Sequence, residues 1–181
     1  MIHEKIITGR LEGVEITLEN KEDIFRIFSN PESIKYTDNE LHHSIADSEK
    51  LILKYREELF NETAIRWGIK LLGSSEIIGV TGFYHIDFKH RFATVGSVMS
   101  EQFQGKGLMP EMQKASFQWA FEHLKLNRID GQCFVRNVYS IRFLEKLGFV
   151  CEGRLRQNFL IDGIFEDSYI YGLLKENFLM R

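Results

Sequence analysis

An α/β (α+β) fold follows from three patterns in this chain. Between residues 64 and 99, apolar and polar residues alternate in three successive runs, as strands paired antiparallel require. The third run leads into Gln104-Gly105-Lys106-Gly107-Leu108-Met109, a glycine-rich crossover that opens a strongly apolar helix. Beyond that helix come a strand, a short helix and two final strands.

The elements can be justified in order. Val14-Glu15-Ile16-Thr17-Leu18 alternates as a half-buried first strand, and Asn20 is placed to cap a helix carrying Ile24, Phe25, Ile27 and Phe28. Asn30-Pro31 stops that helix, because a residue before proline is pushed out of helical backbone. A second helix spans Ser44 to Phe60, with Ala46, Leu51, Ile52, Tyr55 and Leu59 on its buried side and a charged outer face. Ala64–Leu71 and Glu76–Tyr84 form a hairpin-like pair around Gly73-Ser74-Ser75, and Phe92–Met99 is the next strand. In the following helix, Met109, Met112, Ala115, Ser116, Trp119 and Ala120, joined by Phe117, Phe121 and Leu124, cover most of the circumference, so it is deeply buried. Pro110 suits its first turn. Arg128–Val135 reads as a strand; Asn137 then caps a short helix with Ile141, Leu144 and Leu147 inward and Gly148 as its stop. Two strands, Val150–Gln157 and Ile164–Leu173, flank the turn Asp162-Gly163. With no repeat, low-complexity tract or linker, residues 1–181 are expected to form one domain.

Composition narrows the function classes. Hydrophobic residues at 44% and charged residues at 27% are ordinary globular usage, and a net charge of −3 provides no basic field for duplex nucleic acid. Cys133 and Cys151 lie in apolar surroundings without ligand spacing and are read as reduced core thiols, which points to the cytoplasm. No apolar run is long enough to span a bilayer, and Met1-Ile2-His3-Glu4-Lys5 has no secretory core, so no membrane partner is expected. His42, His43, His85, His90 and His123 are not spaced as metal ligands with acidic or thiol partners, so no metal is expected.

The crossover at 104–109 carries the chemistry. Two glycines at a strand-to-helix turn permit tight backbone and leave amide N–H groups uncovered, so the helix start can receive the oxygens of a pyrophosphate. It is not a P-loop, which needs Ser or Thr after the lysine and a glycine at position 100; here Gly107 follows Lys106 and Ser100 stands at that position. Nor is it a dinucleotide fingerprint, since Pro110 occupies the place of the third glycine.

Taken with Asn137-x-x-Ser140 and Lys146-Leu147-Gly148-Phe149, the run Gln104-x-x-Gly107-x-Met109 resembles the acetyl-CoA signature of GNAT-superfamily N-acetyltransferases. The early strand-helix unit, Trp67-Gly68-Ile69 and Glu152-Gly153 are similar to the branch of ribosomal-protein N-terminal (Rim-type) acetyltransferases, which also contains members acting on small amines. The resemblance implies an acyl-CoA N-acyltransferase fold: a mixed, mostly antiparallel sheet of about seven strands, splayed between the fourth and fifth, with helices on both faces. It further implies acetyl-CoA as cosubstrate, its pyrophosphate on the amides of Gln104, Gly105, Lys106, Gly107, Leu108 and Met109, and its pantetheine arm paired with backbone near Val98 and Met99. Many superfamily members carry Gly or Ala where Met109 stands, a tolerable change if the contact is made by backbone.

Transfer of acetyl to an amine needs a neutral amine, a polarised carbonyl and an exit for the thiolate. A thiol ionises near ~8.5, so a hydroxyl hydrogen bond suffices for the leaving sulfur. Ser140 and Tyr139 are the candidates; the resemblance puts the Ser140 hydroxyl at the sulfur and favours it. Asn137 is open to two roles, helix cap and contact to the cofactor arm, and Lys106 to two, solvated charge and electrostatic support of the phosphates. The fourth-strand Glu that serves many members as general base is replaced by Thr94. Glu101, Glu152, Glu166 and Asp167, and His85 acting through water, remain as groups able to approach the cleft. Lacking a strong base, the enzyme should prefer α-amines, which at pH 7 are neutral roughly several hundred times more often than lysine side chains. The acceptor, a protein N-terminus or a small amine, should meet an aromatic wall of Tyr36, Phe83, Tyr84, Phe159 and Phe165. The missing Glu also admits a non-catalytic acyl-CoA sensor on the same fold. Monomer and homodimer are both compatible with the sequence.

Overall fold

The computed structural model describes residues 3–161 and 163–179; Met1, Ile2 and Asp162, on which parts of the sequence reading fall, lie outside them. Among the described residues, eight strands form one sheet: β1 (Ile6–Ile7), β2 (Leu11–Val14), β3 (Ile65–Leu71), β4 (Gly79–Asp87), β5 (Phe92–Met99), β6 (Arg128–Phe134), β7 (Val150–Ile161) and β8 (Ile164–Leu174). Their order is β1-β2-β3-β4-β5-β6-β8-β7, antiparallel except between β5 and β6. The helices are α1 (Lys21–Phe28), α2 (Pro31–Ile34), α3 (Ile45–Phe60), α4 (Leu108–His123), α5 (Val138–Leu147) and α6 (Lys175–Leu179).

The alternation of the central strands sends side chains into two cores. Trp67, Phe83, Ala93, Val95 and Met99 face α4, meeting Met112, Phe117, Ala120 and Phe121. Val80 and Val98 face the other way, onto Ile24, Ile27 and Phe28 of α1 and Ile52 of α3. Because α4 packs flat against the sheet and meets α5 and α6 on its flanks, it needs apolar residues nearly all round, as its sequence shows.

Several boundaries move. The strand expected at Val14–Leu18 is β2, Leu11–Val14, and Glu15-Ile16-Thr17 leaves the sheet to enter a 3-10 turn at Leu18–Asn20, where Asn20 Oδ1 accepts from the Thr17 amide at 3.0 Å. Local alternation cannot separate a paired strand from an extended approach to a turn. β1, Ile6–Ile7, is the strand beyond the expected seven and is too short for a periodicity signal. Ala46 is exposed, and Ser48 with Ile52 takes the buried side of α3, because Ser44 caps one residue before Ile45 and sets the phase of the helix. Cys151 is exposed on edge strand β7, so only Cys133 is a core thiol.

The parallel pair matters most for function. β5 and β6 are in register only at Phe92–Arg128, Ala93–Ile129 and Thr94–Asp130; beyond these residues they part. Val95–Met99 and Gly131–Phe134 therefore flank an opening in the middle of the sheet.

Candidate functional site

At the end of β5 a 3-10 turn, Glu101–Phe103, leads to the glycine loop. Gly105 and Gly107 both have φ of 71°, a left-handed conformation that costs an L-residue roughly 1–2 kcal/mol. Residues 104–107 are exposed, whereas the Leu108 side chain is buried, anchoring the loop to the core. Among the described residues, the amides of Gly105, Lys106, Gly107, Leu108 and Met109 have no hydrogen-bond partner outside the helix. As Gly107 is the N-cap of α4, this row of bare donors sits at the positive end of the helix dipole. Lys106 Nζ rests 5.3 Å from the centre of the Phe103 ring.

What aims the loop lies far away in sequence. Arg10, between β1 and β2, donates from Nη1 to the Lys106 carbonyl at 3.2 Å and from Nη2 to the Gly107 carbonyl at 3.1 Å. Glu111, in the first turn of α4, accepts from Arg10 Nε at 2.6 Å, from the Arg10 amide at 2.9 Å and from Thr8 Oγ1 at 2.6 Å. With two loop carbonyls held on the Arg10 side, the amides are left to solvent. Burial pushes the Glu111 carboxyl up, but the hydrogen bonds from Thr8 and Arg10 outweigh it and hold the group below the usual carboxylate range.

A cleft of about 460 Å³ runs through the opening between β5 and β6. On one side it reaches Ser140 of α5 and Gln113 of α4, and on the other Tyr36, Tyr55, Tyr84 and Phe159. α5 sits close over β6 because Gly131 has no side chain; a Cβ there would meet Leu144 Cδ2 at 3.1 Å. Asn137, buried, caps α5 by accepting from the Ser140 amide at 3.0 Å, and its Nδ2 donates to Ser140 Oγ at 2.7 Å. One lone pair of that hydroxyl is thus occupied, and its hydrogen is free for another acceptor. Gln113 is 2% exposed and its Oε1 is a buried acceptor with no partner among the described residues.

The sequence expectations divide on this geometry. Gly105, Lys106, Gly107, Leu108 and Met109 form the donor row, and Asn137 and Ser140 meet as a pair. Tyr139 does not join them: it is 80% exposed and absent from the cleft wall, because in helix α5 the next residue points about 100° away. Gln104 is not part of the row, because its amide donates to the Glu101 carbonyl at 3.1 Å; its side chain donates to the Met99 carbonyl at 2.9 Å, tying the loop to the end of β5. The Val98 carbonyl is directed toward Gly79 on β4, on the paired side of the strand, so the open edge is reached at Met99 and not at Val98. Of the expected aromatic wall, Phe83 is fully buried on the α4 side and Phe165 is 61% exposed at the distal hairpin; Tyr36, Tyr84 and Phe159 do line the cleft.

The expected carboxylates are mostly engaged elsewhere. Glu152 is held by Arg128 at 2.6 Å, Glu166 by Arg136 at 2.8 Å and Asp167 by Arg154 at 2.5 Å, while Glu101 accepts from Asn30 at 3.2 Å. Within the cleft, Glu58 is paired with Arg66, whose guanidinium lies 4.3 Å over the Tyr55 ring. Burial pushes the Tyr55 phenol up to about 12, and burial together with neighbouring Asp38 raises that of Tyr84, so both remain protonated donors.

Arg10 and Gln113 are the residues that sequence reasoning missed. Arg10 carries no local signal. Gln113 does: it is a polar residue in a helix otherwise apolar nearly all round, where a buried amide needs a reason.

Residues 10–150 match the acetyltransferase (GNAT) domain family. The uncharacterized N-acetyltransferase YoaA of Bacillus subtilis is 33% identical over 168 residues, covering 93% of this chain and 95% of that protein. Among solved structures, RimL, a ribosomal L7/L12 α-N-protein acetyltransferase in complex with coenzyme A, aligns with a TM-score of 0.86 at 20% identity, covering 94% of this chain and 98% of that one. Spermidine N-acetyltransferase from Vibrio cholerae, in complex with CoA and spermine, aligns at 0.82 and 23% identity, covering 93% and 98%.

Proposed function

This chain belongs to the GNAT family and is an N-acetyltransferase that uses acetyl-CoA, and from that premise we propose that its acceptor is an α-amine, carried by a protein N-terminus or a small molecule. The carrying observation is the opening between β5 and β6, with bare amides at one end and an oriented hydroxyl within it, while Thr94 supplies no carboxylate and Glu58 in the cleft is paired with Arg66.

The residues present fit the cosubstrate. The Gly105–Met109 amides offer a row of donors to a diphosphate, and Lys106 adds positive charge beside them. The open edge of β5 and the orphaned Gln113 Oε1 suit an arm that contains amides, because such an arm brings the N–H that this buried oxygen lacks. Acetyl-CoA supplies a thioester whose carbonyl carbon accepts the amine and whose sulfur departs. Ser140 directs its hydroxyl hydrogen to that sulfur, and Asn137 fixes the hydroxyl by donating to its oxygen. Little acid strength is required, since a thiol near ~8.5 is already a good leaving group at neutral pH.

The α-amine preference follows from proton bookkeeping. Glu58 is neutralised by Arg66, and Tyr55 and Tyr84 in the cleft wall are protonated. A site of this kind suits an amine near ~7.7–8.0, which loses its proton readily, far better than a lysine near ~10.4. RimL, with the same fold, is an α-N-protein acetyltransferase. The test is a competition on one peptide carrying a free α-amine and an internal lysine, with acetyl-CoA and mass-spectrometric assignment of the product. Acetylation at the N-terminus is expected; prior acetylation of the lysine side chain across neutral pH would overturn the proposal.

A further inference from the structure

The strand β4 contains one irregularity, and it lies at the cleft. Tyr84 pairs with Thr94 and Asp87 with Phe92, so His85 and Ile86 together oppose the single residue Ala93. This is a β-bulge, and its first residue, His85, has φ of 51°. Bulges with a left-handed first residue normally place glycine there. A histidine, with its Cβ, is strained there where glycine is not.

The bulge decides where the imidazole goes. In a regular strand His85 would follow Phe83 onto the α4 side of the sheet. Instead Ile86 takes the place in that core, and His85 is turned out beside Tyr84, its ring 4.9 Å from the phenol ring, in the wall of the cleft. Its ring nitrogens have no hydrogen-bond partner among the described residues. It stands one residue beyond the cross-strand partner of Thr94, the position that lacks a carboxylate.

We propose that His85 is the group that accepts the proton of the incoming ammonium, directly or through one water. The competing groups are committed elsewhere. Asp130, the register partner of Thr94, is bound to Arg128 Nε at 2.5 Å and does not line the cleft; Glu58 is paired with Arg66 and lies near Lys54. Tyr55 and Tyr84 hold their protons, and Asp38, near enough to Tyr84 to help raise its phenol, is exposed to solvent.

The steps balance as follows. The ammonium gives one proton to the imidazole, leaving a neutral amine and an imidazolium that later returns the proton to solvent. The amine nitrogen forms a bond to the acetyl carbonyl carbon and the carbon–sulfur bond breaks. The Ser140 hydroxyl passes its proton to the departing sulfur and regains one from the nitrogen, giving amide and thiol. An imidazole, ~6.5 in peptides, lies within about 1.5 units of an α-amine but about 4 below lysine, so this assignment deepens the α-amine reading, on which it rests.

The bulge geometry supplies a test that separates chemistry from structure. His85→Gly removes the left-handed strain, so its melting temperature should equal or exceed that of the wild type. With an α-amine peptide its kcat/KM should fall by about 10- to 100-fold, at or below the usual span for general base catalysis because an α-amine loses its proton readily. The KM for acetyl-CoA should hold within about twofold, the acid limb of the pH profile should disappear, and added imidazole should restore rate. A His85→Gly enzyme that keeps its kcat/KM and acid limb, or loses rate only through the KM for acetyl-CoA, overturns the proposal. A wild type that acetylates lysine before N-termini, while still losing rate in His85→Gly, overturns the α-amine reading and leaves the His85 assignment standing.

Discussion

Replacing Arg10 by alanine should loosen the grip on the diphosphate without touching a residue of the cleft. Arg10 makes two hydrogen bonds to loop carbonyls and one ion pair with Glu111. A charged hydrogen bond contributes about 1.5–3 kcal/mol in a shielded setting. The Arg10 side chain is 52% exposed, so water takes over much of that on removal, and a discounted value of roughly 0.5–1 kcal/mol per loop contact is appropriate. The pair then amounts to about 1–2 kcal/mol, or roughly 5- to 30-fold in the dissociation constant of coenzyme A. Calorimetry with coenzyme A reads the loss, and turnover with an acetylated pantetheine thioester, which has no diphosphate, provides the contrast. Arg10→Ala should weaken the first and leave the second within about twofold of wild type. Unchanged affinity for coenzyme A, or equal loss with both donors, would refute the clamp.

Other outcomes follow from the same geometry. Ser140→Ala should lower kcat by about 10- to 100-fold, at or below the usual span for general acid catalysis because the leaving thiol is weakly basic, with coenzyme A affinity preserved by calorimetry; Tyr139→Phe should leave kcat within about twofold. Glu111 has a carboxyl held below its ordinary 4.5 in the folded chain, despite the opposing effect of burial. Its stabilisation is therefore complete above that value and lost as pH falls through the lower folded one, so the melting-temperature gap between wild type and Glu111→Gln should be present at neutral pH and close under acid conditions below it. Burial pushes the Cys133 thiol up to about 11, whereas Cys151 is exposed. A thiol reagent at mild alkaline pH should label one cysteine quickly in the native protein and the second only after denaturation.

Much of the fold was written in local pattern. Alternation located β3 and β5 within a residue or two, and the near-complete apolar circumference of α4 announced its central burial. Gly105 and Gly107 identified the loop because left-handed backbone leaves few alternatives, and Asn137 identified the start of α5 because capping is a local contact. What escaped depends on distance in space. Arg10 reaches a loop 96 residues on, and nothing in its neighbours hints at that. The bulge at His85 arises from the register between β4 and β5, which periodicity within a single strand does not encode. Tyr139 and Ser140 are adjacent in sequence; the resemblance favours Ser140, and the helix phase turns Tyr139 away from the cleft. The carboxylates first considered as bases, Glu152, Glu166 and Asp167, are bound by arginines whose pairing is fixed by sheet order and not by spacing.

The central claim is that main-chain donors from Gly105 to Met109 hold the diphosphate of coenzyme A. Amide resonances of a nitrogen-15-labelled sample, followed by NMR during titration, test it most directly. Coenzyme A should shift the signals of Gly105, Lys106, Gly107, Leu108 and Met109, and pantetheine without its diphosphate should leave them in place. If these five amides stay unmoved by saturating coenzyme A, or respond equally to pantetheine, the loop is not the diphosphate site.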